Sequence, residues 1–309
     1  MPIWLNGLVD EAEARVPVLD RGFLFGDGVY EVVRFFNGVG LQMGDHVARL
    51  GRSLRAMQIE GFDEGTMPAI CEALLHANGL RDASVYLQVT RGAGRSRSHL
   101  PEAGLTPMAM AMASPLPSLH AFDRPETARA ILLEDIRWHR CDIKSIALVG
   151  NVLGVMEAAR QGAEEAIFHR HGQVAEGAST NVFAMIDGAL VTPPVTTTPP
   201  ILHGVTRLLA FEAANTLGLP VQQRAMGVDE LRRAGEVMIT SSRRIVAPVT
   251  HLDGVAVGNG QPGTVATALF AAARRAIARE CGVILADPPA PAPPLRQDAQ
   301  RAAVGGGVR

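Results

Sequence analysis

The feature that most limits how this chain can fold is the break Ser114-Pro115-Leu116-Pro117. Each proline removes a backbone donor and pushes the residue before it away from helix, so regular structure is expected to stop here. The break separates two segments that each carry both strand and helix patterns, and this predicts an α/β (α+β) protein of two domains. Before it, Phe23-Leu24-Phe25, 29–36, 39–43, 85–90 and 108–113 read as strands, with Asn37-Gly38 as a tight hairpin turn. Val47, Leu50, Leu54 and Met57 recur at helical spacing and predict a helix over 45–57, with arginines 49, 52 and 55 on its other faces. A second helix is expected near 66–77. After the break, strands are expected near 128–134, 165–169, 181–186, 220–224, 235–240 and 246–250, and helices near 150–161, 205–217 and 264–281. Gly218 suits the end of the 205–217 helix, because glycine accepts the left-handed conformation there. The expected division is a small N-terminal domain over 1–113, a linker over 114–124 and a larger domain over 125–285. The proline- and glycine-rich stretch 286–309 reads as a disordered tail.

Composition narrows the function. With 47% hydrophobic residues there is material for a sizeable core, and a net charge of −2 gives no electrostatic reason to expect nucleic acid or an anionic membrane as partner. No run is long enough to span a bilayer, and Ile3-Trp4-Leu5 followed by Asn6-Gly7 reads as strand and turn rather than as a signal peptide. The three cysteines, Cys71, Cys141 and Cys281, are odd in number and widely spaced. They fit neither a disulfide framework nor a metal site, so the expectation is a cytoplasmic protein without a metal.

Lys144 is the only lysine among 309 residues, and every other strongly basic side chain is arginine. Arginine replaces lysine on a solvated surface but not as an amine nucleophile, because the guanidinium stays protonated. Lys144 also sits in an apolar run with Ile143, Ile146, Ala147, Leu148 and Val149. Such surroundings disfavour the charged amine and favour the form that makes a Schiff base with a carbonyl. A chance survivor in an arginine-rich composition would look the same, so the lysine needs company. Glu176-Gly177-Ala178-Ser179-Thr180-Asn181-Val182-Phe183 sets a carboxylate before a small-residue turn and an apolar strand. Gly204-Val205-Thr206-Arg207 opens an expected helix, whose free N–H groups and threonine hydroxyl make a ready phosphate site. Thr240-Ser241-Ser242 adds hydroxyls at a strand end, and Arg49 offers a cation. An aldimine lysine, phosphate anchors and an acid for a pyridinium nitrogen are together the set that pyridoxal 5′-phosphate needs.

On these residues the chain resembles the fold-type IV pyridoxal-phosphate enzymes, the class IV aminotransferases, and among them the bacterial D-amino-acid aminotransferases. The resemblance runs from Trp4 to about residue 280. It is carried by Phe25-Gly26-Asp27-Gly28-Val29-Tyr30-Glu31-Val32-Val33, Asp45-His46 with Arg49-Leu50, Arg137-Trp138 with Arg140-Cys141-Asp142-Ile143-Lys144-Ser145, Leu148 with Gly150-Asn151-Val152-Leu153, and the Glu176 and Gly204 segments. It implies a larger domain built as a mixed, barrel-like sheet with helices, and a homodimer with active sites near the interface. It also implies roles. Lys144 would carry the internal aldimine and shuttle the proton. Glu176 would pair with the pyridine nitrogen. Arg49, Val205, Thr206, Ser241 and Ser242 would hold the phosphate, Leu202 would pack on the ring, and Tyr30 would stand beside substrate and lysine.

The same resemblance speaks to the amino donor. In D-amino-acid aminotransferases an Arg-x-His on a loop reaches in from the neighbouring subunit and, with a tyrosine, traps the substrate carboxylate. Arg97, His99 and Tyr30 match that pattern, and arginine offers a carboxylate two parallel bonds. A D-alanine-like donor and a 2-oxo acid acceptor, 2-oxoglutarate, are therefore the expected substrates. The rivals on the same scaffold are an L-branched-chain or (R)-amine transaminase and an aminodeoxychorismate lyase; a non-catalytic cofactor carrier is the rival from another class. Two departures bear on substrate range. Arg243-Arg244-Ile245 stands where small hydroxyl residues and an acid are expected, and the loop from Pro193 to Pro200 is longer than in the D-alanine enzymes.

Overall fold

The computed structural model describes residues 1–196 and 200–285. Residues 197–199 of the long loop and the expected tail 286–309 lie outside the described residues. In chain order the elements are β1 (Pro2–Leu5), β2 (Leu8–Asp10), α1 (Arg21–Phe25), β3 (Gly28–Phe36), β4 (Val39–Gly40), α2 (Met43–Ala56), α3 (Met67–Asn78), β5 (Ala83–Thr90) and β6 (Met108–Pro115). There follow β7 (Ala128–Glu134), α4 (Val149–Arg160), β8 (Glu165–Arg170), β9 (Gln173–Gly177), β10 (Asn181–Ile186), β11 (Ala189–Thr192), α5 (Val205–Thr216), β12 (Val221–Gln223), α6 (Val228–Arg232), β13 (Glu236–Ser241), β14 (Ile245–Leu252), β15 (Val255–Ala256) and α7 (Thr264–Glu280).

The first half forms a six-stranded antiparallel sheet in the order β2-β1-β6-β5-β3-β4. Successive residues of a strand face opposite sides, and β3 uses both. Val29, Glu31, Val33 and Phe35 share one face, and its apolar members pack with Leu50 and Leu54 of α2 and Met67, Ile70 and Leu74 of α3. Tyr30, Arg34 and Phe36 take the other face, and Phe36 joins the core of the second half. The Asn37-Gly38 turn adopts positive φ at both residues, 54° and 79°, as a two-residue hairpin of this twist requires.

The second half builds a mixed sheet in the order β12-β11-β10-β13-β14-β7-β8-β9, with β15 beside β14. β9 and β10 are joined by residues 178–180 alone, yet four strands lie between them in the sheet. In a flat sheet five spacings would put them about 24 Å apart, while four Cα steps reach at most about 15 Å. The sheet must therefore curl into the barrel-like form expected, and the tight β9–β10 turn lies at its mouth. Helices α5 and α7 cover one face through Leu209, Ala213, Leu269, Phe270, Ala273 and Ile277. Among the described residues no helix is long and apolar enough to cross a membrane.

Three local expectations fail, each for a physical reason. Phe23-Leu24-Phe25 is helical, because the Asp20 carboxylate caps Gly22 and Phe23 N–H and Gly26 at φ 67° closes the turn. The strand expected over 39–43 stops at Gly40, since Gln42 turns left-handed and α2 starts at Met43. The strand expected to end at 113 continues through Pro115. Its neighbour β1 pairs only with Met110 and Ala111, so proline meets no partner carbonyl on that side. The short elements β2, β9, β11, β15 and α6 carry too few residues for a periodic signal.

Candidate active site

A cleft containing about 770 Å³ of atom-free space opens where the two halves meet. Its walls include Tyr30, Arg49, Lys144, Glu176, Leu202, Val205, Thr206, Ser241 and Ser242. All of the residues expected from the sequence to meet the cofactor are thus brought together, from separate stretches of chain.

The lysine segment belongs in sequence to the second half but is bonded to the first. Tyr30 N–H donates to Lys144 O at 2.9 Å, Ile146 N–H donates to Gly28 O at 3.1 Å, and Lys144 N–H donates to Ser53 Oγ at 3.2 Å. Ile143 is buried in the first core. These bonds hold the backbone still and leave the amine free in the cleft, with Nζ 4.1 Å from the centroid of the Tyr30 ring. Tyr30 is itself stacked on Tyr86 at 5.6 Å, and burial pushes the Tyr86 phenol up to about 12.

Arg49, expected to offer a cation to the cleft, is 4% exposed. Residues 46, 49 and 53 form one stripe of α2, and the facing residue on β3 is Glu31. Arg49 Nε and Nη2 donate to the two Glu31 oxygens at 2.8 and 2.6 Å, and Nη1 donates to His203 O at 3.0 Å. His46 Nδ1 lies 2.7 Å from Glu31 Oε2. Burial would push the Glu31 carboxyl up, but the charge and hydrogen bonds of Arg49, with the His46 bond, overrule it and pull it down to about 2. Burial likewise holds His46 below its ordinary value. Three of the five guanidinium N–H groups are occupied, and two remain for an anion. Glu31 and His46 lie within the motifs of the resemblance, but their role as the support of Arg49 depends on β3 packing against α2.

On the opposite wall Glu176 is 4% exposed. Its Oε1 accepts Arg137 Nη1 at 2.9 Å, and its Oε2 accepts Leu202 N–H at 2.9 Å and Asn181 Nδ2 at 3.3 Å. Burial pushes the Glu176 carboxyl up, and Arg137 and the Leu202 N–H pull against it. Beneath the turn a second buried carboxylate, Glu165, accepts the N–H groups of Ala166 and Ala178 at 3.0 Å, and burial pushes it up as well. Gly177 leaves room here, since a β-carbon would stand 2.0 Å from Thr180 Oγ1 and force that side chain to shift. Gly204 leaves room likewise, since its β-carbon would stand 1.9 Å from Asn181 Oδ1 and displace that amide. Cys141 lines the cleft, but burial pushes its thiol up, which is opposite to what a nucleophilic cysteine needs.

Between these walls the groups fit a phosphorylated ligand. Helix α5 starts at Val205 with no side chain capping it, so its first N–H groups point into the cleft unpaired within the helix. Thr240 Oγ1, also on the wall, is buried without a hydrogen-bond partner. Ser241, Ser242, Thr206 and the free N–H groups of Arg49 complete a cup for an anion. Among the described residues no group of three or more His, Cys, Asp or Glu side chains is placed to hold a metal ion.

Two expected features lie away from the cleft in the single chain. Arg97 and His99 sit against Phe25, with the Arg97 guanidinium 5.1 Å and the His99 ring 5.3 Å from its centroid, and Arg21 holds the loop through Ser98 O and His99 O. Arg243 and Arg244 do not line the cleft either; Arg244 Nη1 turns to Thr127 O at 3.0 Å.

The Amino-transferase class IV family model matches residues 28–252. The chain belongs to the class IV aminotransferases. It is 39% identical to a D-alanine aminotransferase of Bacillus licheniformis over 91% of this chain and 98% of that protein. It is 37% identical to a D-alanine aminotransferase of Listeria monocytogenes over 91% and 97%. Among solved structures, a T.th. branched-chain amino acid aminotransferase with pyridoxamine 5′-phosphate superposes with a TM-score of 0.82 at 26% identity, covering 90% of this chain and 94% of that one. A branched-chain aminotransferase from Thermoproteus uzoniensis gives 0.80 at 26% identity, covering 91% and 95%. Class IV aminotransferases work with pyridoxal phosphate, and the anion cup, amine and carboxylate of this cleft suit that cofactor.

Proposed function

We propose that this class IV aminotransferase moves the amino group of a D-amino acid such as D-alanine to 2-oxoglutarate. The observation that carries the proposal is the match, over nearly the full chain, to D-alanine aminotransferases, in a chain that also keeps the Arg97-Ser98-His99 loop. The branched-chain structures share the fold at lower identity.

Arg49, the N–H groups of Val205 and Thr206, and the Thr206, Ser241 and Ser242 hydroxyls bind the cofactor phosphate. Leu202 would pack against the ring, and Glu176 would pair with the ring nitrogen. When bound, pyridoxal phosphate supplies the aldehyde that takes up the amino group and a ring that stores the electron pair released at Cα. Lys144 Nζ would hold the cofactor and would serve as the base that moves the substrate Cα proton. Tyr30 orients that amine and borders the substrate. The chain works as two domains, 1–113 and 125–285, joined by 114–124, with the cleft between them.

The working unit in this proposal is a homodimer. Helix α4 exposes Val149, Val152, Leu153 and Met156, an apolar stripe at helical spacing that a lone chain would leave in water. It begins at the cleft, whose wall includes Leu148 and Asn151. A second copy packed there delivers Arg97 and His99 of the partner subunit to the substrate carboxylate, which Tyr30 completes. The three free cysteines are buried, in keeping with a cytoplasmic enzyme.

The test is the visible spectrum of the purified holoenzyme with D-alanine, L-leucine or an (R)-arylamine added without acceptor. Bleaching of the yellow band by D-alanine, and its return with 2-oxoglutarate, is expected. Bleaching by L-leucine alone refutes the stereochemical assignment. Bleaching by the arylamine shows that no carboxylate trap governs the site, and repeated turnover of aminodeoxychorismate to pyruvate identifies a lyase. Lys144→Ala is expected to lose both the band and turnover.

A further inference from the structure

Behind Glu176 lies a chain of buried charges that the proposed chemistry does not yet use. Arg137 donates Nη1 to Glu176 Oε1 at 2.9 Å, and its other side forms a fork with Asp135, Nε to Oδ1 and Nη2 to Oδ2, each at 2.9 Å. Asp135 also accepts Arg170 Nη2 at 2.8 Å, and its side chain is wholly buried. The Arg137 guanidinium lies 4.5 Å from the Phe168 ring centroid, so it cannot swing away from either carboxylate without losing that contact. The order Glu176, Arg137, Asp135, Arg170 alternates in sign, and Arg137 touches both acids.

We propose that Arg137 is the positioning residue that keeps Glu176 ionised against the cofactor ring nitrogen, and that Asp135 tunes this by sharing the charge of Arg137. The inference rests on the assignment of Glu176 to the ring nitrogen. A carboxylate this deeply buried takes up a proton unless a cation opposes it. Arg137 donates directly to Glu176; Asp135, the buried thiol of Cys141 and Arg207 from α5 also act on it, the buried Glu165 carboxylate lies beside the neighbouring Gly177, and Lys144 shares the cleft. If Glu176 takes up a proton, it can no longer stabilise a protonated ring nitrogen, and the electron sink weakens. Asp135 works against Arg137 from behind, since its negative charge draws on the same guanidinium and favours proton uptake by Glu176.

The experiment loads the holoenzyme with cofactor labelled with ¹⁵N in the ring and follows the nitrogen resonance with pH. In wild type the protonated signal is expected to persist across the neutral range. Arg137→Met is expected to move the midpoint of its loss down by at least one pH unit, a tenfold change in proton affinity, and Arg137→Lys is expected to restore part of it. Asp135→Asn is expected to move the midpoint the other way, because Arg137 then acts on Glu176 alone. Mere structural damage would move both variants in the same direction. An Arg137→Met signal matching wild type, or an Asp135→Asn midpoint that falls, overturns the inference. Should Arg137→Met fail to fold, the direction of the Asp135→Asn shift decides. Glu176→Gln separates the two levels: if it leaves the resonance unchanged, the assignment of Glu176 to the ring nitrogen is wrong. If Glu176→Gln moves it and Arg137→Met does not, only the role of Arg137 falls.

Discussion

Glu31→Gln is the substitution whose consequences the structure specifies most closely. The side chain keeps its size, but Arg49 and His46 lose the charge they face. The carboxyl is pulled from an ordinary 4.5 down to about 2. At about 1.4 kcal/mol per unit, that difference is worth about 3 kcal/mol of folding stability. An independent estimate agrees: removing one partner of a buried ion pair costs about 3–5 kcal/mol. The sign follows from a depressed pKa. The contribution is fully present above the unfolded value of 4.5 and is lost as pH falls toward about 2. Urea unfolding of wild type and E31Q over this range is the assay. E31Q is expected to be less stable by about 3 kcal/mol near neutral pH, with the gap closing as the acid end is approached. Other carboxylates titrate in the same window, so only the difference between the two proteins is diagnostic. Equal stability near neutral pH, or a gap that stays constant into acid, would refute the reasoning. The cofactor affinity of E31Q is expected to fall as well, because Arg49 is no longer aimed by its fork.

Three further outcomes are expected. Gly204→Ala places a β-carbon 1.9 Å from Asn181 Oδ1, and the forced shift is expected to cost about 1–3 kcal/mol; cofactor dissociation measured by fluorescence should rise with it. The double variant V152E/M156E puts charge into the exposed stripe of α4 and should sediment as a monomer, whereas an unchanged dimer places the interface elsewhere. If the loop traps the substrate carboxylate as proposed, Arg97→Met should raise the KM for D-alanine roughly 10- to 100-fold with a smaller change in kcat; an unchanged KM excludes the loop from substrate binding.

Much of the site was legible because its chemistry is tied to residue type. A lone lysine, a Glu-Gly turn and hydroxyls at a helix start and a strand end are unusual enough to be read without coordinates. The longer strands of the second half were legible for a similar reason: they are largely buried apolar runs bounded by turn residues, and 128–134 and 181–186 match β7 and β10 residue for residue. The misreadings lie where a cap outweighs pattern. Phe23 to Phe25 has strand-like side chains, but Asp20 and Gly26 fix the backbone as one helical turn.

The sequence by itself therefore determined which groups this protein has for its chemistry and roughly where its strands and helices begin. Amine, carboxylate, hydroxyl and glycine are properties of single residues or of neighbours along the chain. Only the tertiary structure decided how those groups are held and charged. Arg49 and Glu31 are 18 positions apart, and Arg137 and Glu176 are 39 apart. No local pattern pairs them. Their pairing arises because β3 packs on α2, and because the three-residue link from β9 to β10 curls the second sheet and turns Glu176 inward. Burial then makes each pairing matter, since a charge withdrawn from water depends on the few groups that folding has placed beside it.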